Sequence, residues 1–147
     1  MTRSTLLREL ALAQQVHLVD NVMANDRIAR EFGIGLVDMQ VLHLLLLRPD
    51  VRTAGGVATA SGLPTSTVTD IVDRLVRAGF VERIRDEADR RRILLSLTSR
   101  VAEVQQRYSA SELTEQLEAV AKGFTNDELG TIRRWFTALN EAAGAAT

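Results

Sequence analysis

The chain has 147 residues and a formal net charge of −1; 46% of its residues are hydrophobic, only 4% are aromatic, and none is cysteine. That length allows one core of ordinary domain size, filled by Leu, Val, Ile and Ala rather than by rings, while the lack of cysteine excludes disulfides, thiolate metal sites and thiol-based sensing. The small net charge hides an uneven distribution: residues 1–50 carry five basic and six acidic side chains, 51–107 ten and seven, and 108–147 three and six, so the sums are −1, +3 and −3.

The first residues are interrupted by Arg8 and Glu9 before a signal-peptide core can form. The longest apolar run, 41–47, is too short for a bilayer and contains His43, so a soluble, cytoplasmic protein without membrane contact is expected. A first helix is expected over 5–30. Leu12, Val16, Val19 and Met23 form one helical stripe, and Leu6, Leu10 and Ala13 form another about 120° round, with His17 beside them. Two apolar faces need two partners: one is expected on the chain's own core and the other on a second copy of the chain. Gly33 and Gly35 end this helix.

A leucine-rich second helix over 37–47 stops before Pro49, because proline pushes its predecessor out of the α region. Thr53 can cap a short third helix through residue 60, although Gly55 and Gly56 inside it each cost about 1 kcal/mol relative to alanine. Gly62 then supplies a turn. A fourth helix over 66–78, opened by Pro64 and Thr65, carries Val68, Ile71, Val72 and Leu75 as its buried stripe. Two short helices around a glycine turn read as helix-turn-helix. Residues 80–85 and 92–97 alternate as two strands, with Ile93, Leu95 and Leu97 on one face and a charged hairpin loop between the strands. Thr98 can cap a long helix to about residue 122, carrying Val101, Val104, Tyr108, Leu113, Leu117 and Val120. Thr125 and Glu128 form a capping box for a last helix with Leu129, Ile132, Phe136 and Leu139. The expected fold is mainly α with a small β-hairpin wing.

Opposite the buried stripe of the fourth helix lie Ser66, Asp70, Asp73 and Arg77, flanked by Thr67, Thr69 and Arg74, and Thr65 at the helix start joins them as a candidate DNA contact. Ser and Thr near a helix N-terminus can bond phosphates or base edges, Arg can take guanine or phosphate, and Asp can accept from a cytosine amino group. For both acids the expected role is the blander one, intrahelical i, i+4 pairing of Asp70 with Arg74 and of Asp73 with Arg77. In the hairpin, Arg90 and Arg91 are expected in or along the minor groove with Asp89 orienting one of them, and Arg92 and Arg85 on phosphates. The alternative is a solvated loop balanced by Asp86, Glu87 and Asp89. Its position directly after a recognition-type helix favours DNA.

The block 62–98, GLPTSTVTDIVDRLVRAGFVERIRDEADRRRILLSLT, resembles the winged-helix core of the MarR (multiple antibiotic resistance regulator) family. A helix, a Gly-Phe-Val link, a D-x-x-D-R-R loop and an L-x-L-T strand end follow in the family's order and spacing. Departures from its pattern are Val37, Gly56, Asp70 and Val101. The resemblance implies a single 1–147 domain in a dimeric bacterial regulator of transcription. Helices of 1–32 and 98–147 would dimerise, and 33–97 would form the DNA-binding lobe, its recognition helix in the major groove of a pseudo-palindromic operator. It also implies repression relieved by a small aromatic or amphipathic ligand, with Leu42, His43, Leu46 and Leu12 or Val16 as neighbours of the pocket.

No cofactor is expected. His17 and His43 are the only histidines, too few for a metal site; His43 is expected in the core or a pocket and His17 at the dimer seam. No nucleophile, general-base or phosphate-loop motif supports an enzyme. The rival readings are a winged-helix module that docks a protein, and a DNA-binding regulator without a ligand.

Overall fold

Thr2 starts the first helix, α1 (Arg3–Glu31), by accepting the Thr5 N–H on its hydroxyl at 3.2 Å. The computed structural model describes residues 1–109 and 112–145 and falls into two units, Met1–Val101 and Ala102–Thr147. Within the first unit α1 stops at Phe32 because Gly33 takes φ +70°, a left-handed conformation natural to glycine. Only Ile28 and Ala29 of this helix are buried, whereas Leu6, Leu10, Leu12, Val16, Val19 and Met23 are between 42% and 66% exposed. The expectation that one whole apolar face would pack on the chain's own core is therefore corrected. The reason is length: 29 residues make a rod of about 43 Å, while a lobe of some 70 residues is roughly 30 Å across. Its last turns reach the core.

The next helix, α2 (Leu36–Leu47), begins where Gly35 donates its N–H to Asp38 at 3.2 Å, and it ends at Arg48, before Pro49. It buries Met39, Val41, Leu42 and Leu45. Helix α3 (Ala54–Ser61) is capped by the Thr53 hydroxyl, which accepts the Gly56 N–H at 3.0 Å, and is closed by Gly62 at φ +70°. Helix α4 (Thr65–Arg77) buries Val68, Ile71, Val72 and Leu75, the stripe read from the sequence. Helices α3 and α4, joined through Gly62, make the helix-turn-helix, and α2 packs against both.

Strands β1 (Val81–Arg85) and β2 (Ile93–Leu97) pair antiparallel, from Val81 opposite Leu97 to Arg85 opposite Ile93. Leu95 donates its N–H to the Arg52 carbonyl at 2.7 Å, so the segment before α3 edges the hairpin. The hairpin buries its base at Val81 and Leu95 and opens to solvent at Ile84 and Ile93. Phe80, just before β1, is fully buried, with the Phe32 ring set edge-on at 5.9 Å. The Arg100 guanidinium lies over the Phe80 ring at 4.6 Å. Thr98 donates its hydroxyl to the Gly79 carbonyl at 2.6 Å and its N–H to the Phe80 carbonyl at 3.0 Å.

Helix α5 (Val101–Ser109) starts three residues after Thr98, later than the sequence pattern suggests, because the Thr98 hydroxyl holds a turn instead, accepting the Arg100 N–H at 3.3 Å. Helix α6 (Glu112–Ala121) covers the rest of the expected long helix; the junction at 110–111 and the side chain of Leu113 lie outside the described residues. In the second unit, Thr125 and Glu128 cap α7 (Asn126–Ala145) reciprocally: Thr125 N–H donates to the Glu128 carboxylate at 2.7 Å, and Glu128 N–H to the Thr125 hydroxyl at 3.3 Å. The Thr125 N–H, and the Thr125 hydroxyl donating to the same carboxylate at 2.8 Å, hold the Glu128 carboxyl below its ordinary pKa. Among the described residues no helix is long and apolar enough to cross a membrane.

Candidate nucleic-acid interface

The N-terminus of α4 has no side-chain cap, since Pro64 stands at the capping position. Its first N–H groups therefore lie open beside the side chains of Thr65 and Ser66, both exposed, and Thr67, half-buried. Thr69 is exposed and donates its hydroxyl to the Thr65 carbonyl at 3.0 Å, which leaves it an acceptor toward any ligand. Asp70 is exposed and makes no ion pair among the described residues.

The two intrahelical pairs expected on α4 do not form. Arg74 turns to Asp38 of α2, donating Nε at 2.9 and 3.1 Å and Nη2 at 2.7 Å. Asp38 is 2% exposed, and a carboxylate so buried is costly without a cation, so it outcompetes the solvated Asp70. The hydrogen bonds from Arg74 to Asp38 raise the arginine's pKa, with smaller Coulombic contributions from Asp38 and Asp70. Asp73 pairs with Arg83 of β1 at 2.5 Å rather than with Arg77. Arg77 instead donates Nε to the Asp73 carbonyl at 3.4 Å and stays exposed. Asp38, Arg83 and Arg100 were not among the residues singled out in the sequence. An acid at the third position of a helix is a visible cap signal, but its burial against another helix is not.

The wing tip is shaped by its acids. Asp86 accepts the Ala88 N–H on its carboxylate at 3.0 Å, and its own N–H donates to the Arg92 carbonyl at 3.0 Å. Asp89 accepts the Arg91 N–H at 3.0 Å, an Asx turn, so it orients the backbone at Arg91 rather than a guanidinium as expected. Arg92 sits 3.9 Å from the Asp86 carboxylate. Arg90 and Arg91 are exposed and make no ion pair among the described residues, and Arg85 is exposed on β1.

Elsewhere, His17 bonds Asn21 at 2.8 Å on an exposed face of α1. Burial of His43 lowers its pKa. No cluster of three or more metal-ligating side chains occurs among the described residues. An open groove of about 760 Å³ lies between the start of α2 and the end of α4, bordered by Val37, Asp38, Arg74, Arg77 and Ala78. It does not include the expected ligand neighbours: Leu42 is core, and Leu12 and Val16 are exposed on α1.

A glycine-turned helix pair, an uncapped recognition-type helix and an arginine-tipped hairpin directly after it define a winged helix-turn-helix protein. The MarR family model matches residues 32–92. Over 112 residues the chain is 35% identical to YcgE, an HTH-type transcriptional regulator of Bacillus subtilis (strain 168), covering 76% of this chain and 71% of that one. The protein belongs to the MarR family of transcriptional regulators. The fold is likewise similar to that of a MarR family protein from Bacillus stearothermophilus, with TM-score 0.71, 23% identity, and coverage of 98% of this chain and 99% of the other. A MepR mutant from S. aureus bound to an oligodeoxyribonucleotide has TM-score 0.57 at 18% identity, with 97% and 99% of the two chains covered.

Proposed function

We propose that the protein is a homodimeric repressor, acting in the bacterial cytoplasm, that grips a pseudo-palindromic operator with two α4 helices about one DNA turn apart. The observation that carries the DNA contact is the pair Arg90 and Arg91, exposed and without ion pairs among the described residues, on a wing tied to a recognition helix whose N-terminal N–H groups have no side-chain cap. In this reading Thr65, Ser66 and Thr67 bond phosphates and base edges, Thr69 accepts, Arg77 takes guanine or phosphate, and Asp70 meets a cytosine amino group. Arg90 and Arg91 follow the minor groove, while Arg92 and Arg85 meet phosphates. The exposed apolar residues of α1 support pairing of two copies through 1–32 and 98–147, with 33–97 as the DNA-binding lobe. Relief by a small aromatic or amphipathic ligand rests on family membership.

The test is a titration of the duplex upstream of the protein's own gene at several salt concentrations. Submicromolar binding that weakens steeply with salt is expected, and no binding at low salt would favour a protein-docking module instead. Light scattering should give twice the chain mass. A thermal-shift panel of phenolic compounds checks for the effector, whose binding must be weakened by DNA by the same factor that it weakens DNA binding.

A further inference from the structure

Arg74 lies on the flank of the recognition helix, where a cation would ordinarily serve the DNA, yet its guanidinium is committed elsewhere. Both Asp38 oxygens receive it at 2.7 to 3.1 Å, and Asp38 Oδ2 also accepts the Gly35 N–H at 3.2 Å. One nearly inaccessible carboxylate thus caps α2 and holds the last turn of α4, across 36 residues of sequence. The arginine is not itself buried: its side chain is 45% exposed and borders the open groove between α2 and α4. A guanidinium in that position reaches solvent as soon as its acceptor is lost.

We propose that Asp38 is a specificity-determining positioning residue: by holding Arg74 with two oxygens it fixes α4 against α2 and withholds one cation from indiscriminate phosphate contact. The inference rests on the DNA-binding reading above and deepens it. The long-range term of protein–DNA affinity is sequence-independent and grows with every phosphate neutralised, so an extra loose arginine on the recognition helix raises non-operator binding and erodes discrimination. Sequestering Arg74 leaves base reading to Arg77 and to the hydroxyls at the start of α4.

The experiment compares wild type, Asp38→Asn, Arg74→Gln and the double variant. Binding to the upstream duplex and to a scrambled duplex is measured across a salt series, with Asp50→Asn as an equal change of charge at the exposed Arg48–Asp50 pair. In Asp38→Asn the salt slope on the scrambled duplex should steepen by about 0.9, with affinity raised on the order of tenfold at low salt and discrimination reduced to match. The double variant should return to the wild-type slope, and Asp50→Asn should not leave it. An unchanged slope in folded Asp38→Asn overturns the proposal. So does a slope in Arg74→Gln shallower than wild type by about 0.9, since Arg74 would then already touch phosphate.

The same four proteins are unfolded with urea without DNA. A coupling between positions 38 and 74 of about tenfold or more in the unfolding equilibrium is expected, and additivity overturns the positioning role whether or not DNA binds. Failure of the wild type to bind either duplex at low salt would instead refute the DNA-binding reading.

Discussion

Asp73 of α4 and Arg83 of β1 are joined at 2.5 Å, a direct tie between the two parts of the proposed DNA-binding surface. The pair is partly exposed, 49% at the acid and 39% at the arginine, so its effect on folding is small, about 0.2 to 1 kcal/mol. Under the proposed function it should weigh more on recognition, because it joins the wing to α4. Asp73→Asn and Arg83→Gln should unfold within about 1 kcal/mol of wild type by urea titration yet bind the operator several-fold more weakly. Unchanged operator affinity would make the pair decoration.

The wing tip separates two kinds of residue. Arg90→Ala and Arg91→Ala should each flatten the salt dependence of binding by about 0.9. Asp89→Ala removes an acid near the DNA, which by charge alone should strengthen binding, but it also removes the acceptor for the Arg91 N–H. Weaker binding in Asp89→Ala, read by anisotropy, means that the turn matters more than the charge.

Phe80 anchors the unit. Truncation to alanine removes a fully buried ring that meets Phe32 and carries the Arg100 guanidinium. A loss of about 3 to 5 kcal/mol is expected, comparable with the whole stability of a small domain. Gly79→Ala should cost only about 1 to 2 kcal/mol, because φ is +78° but an added Cβ comes no closer than 3.8 Å to Arg100. Chemical denaturation of both variants checks the order.

His43 gives a pH signature. Burial lowers its folded pKa below the ordinary 6.5, so the unfolded chain binds more protons in acid. Its contribution to stability is present above pH 6.5 and lost as pH falls through the lowered folded value. Melting temperature measured from pH 8 to pH 5 should fall on the acid side, and the fall should be shallower in His43→Leu than in wild type. Equal slopes would remove His43 as the cause.

The α4 stripe was legible because Val68, Ile71, Val72 and Leu75 recur at helical spacing, and the turns were legible because Gly62 and Pro64 restrict the backbone. The partners of the charges were not. Asp73 has an arginine four residues on and another on the adjoining strand, and only packing decides between them. Arg74 finds its acid 36 residues earlier, and no local period encodes that distance. The apolar faces of α1 could be read as apolar, but periodicity does not say how much of a rod its own lobe covers.

At the base of the hairpin, Thr98 and Arg100 return to the carbonyls of Gly79, Phe80 and Ala78, where α4 has just ended. The chain between them is closed into a ring by this clamp at its base, and the Asp73–Arg83 pair and the bond from Leu95 N–H to the Arg52 carbonyl hold it to the helix-turn-helix as well. The arginines at its far end and Arg77 at the end of the helix therefore move like the tines of a fork on one handle. A displacement at the start of α5, which follows the clamp directly, would turn both tines together, so the two groove contacts proposed above would be made or released as one event.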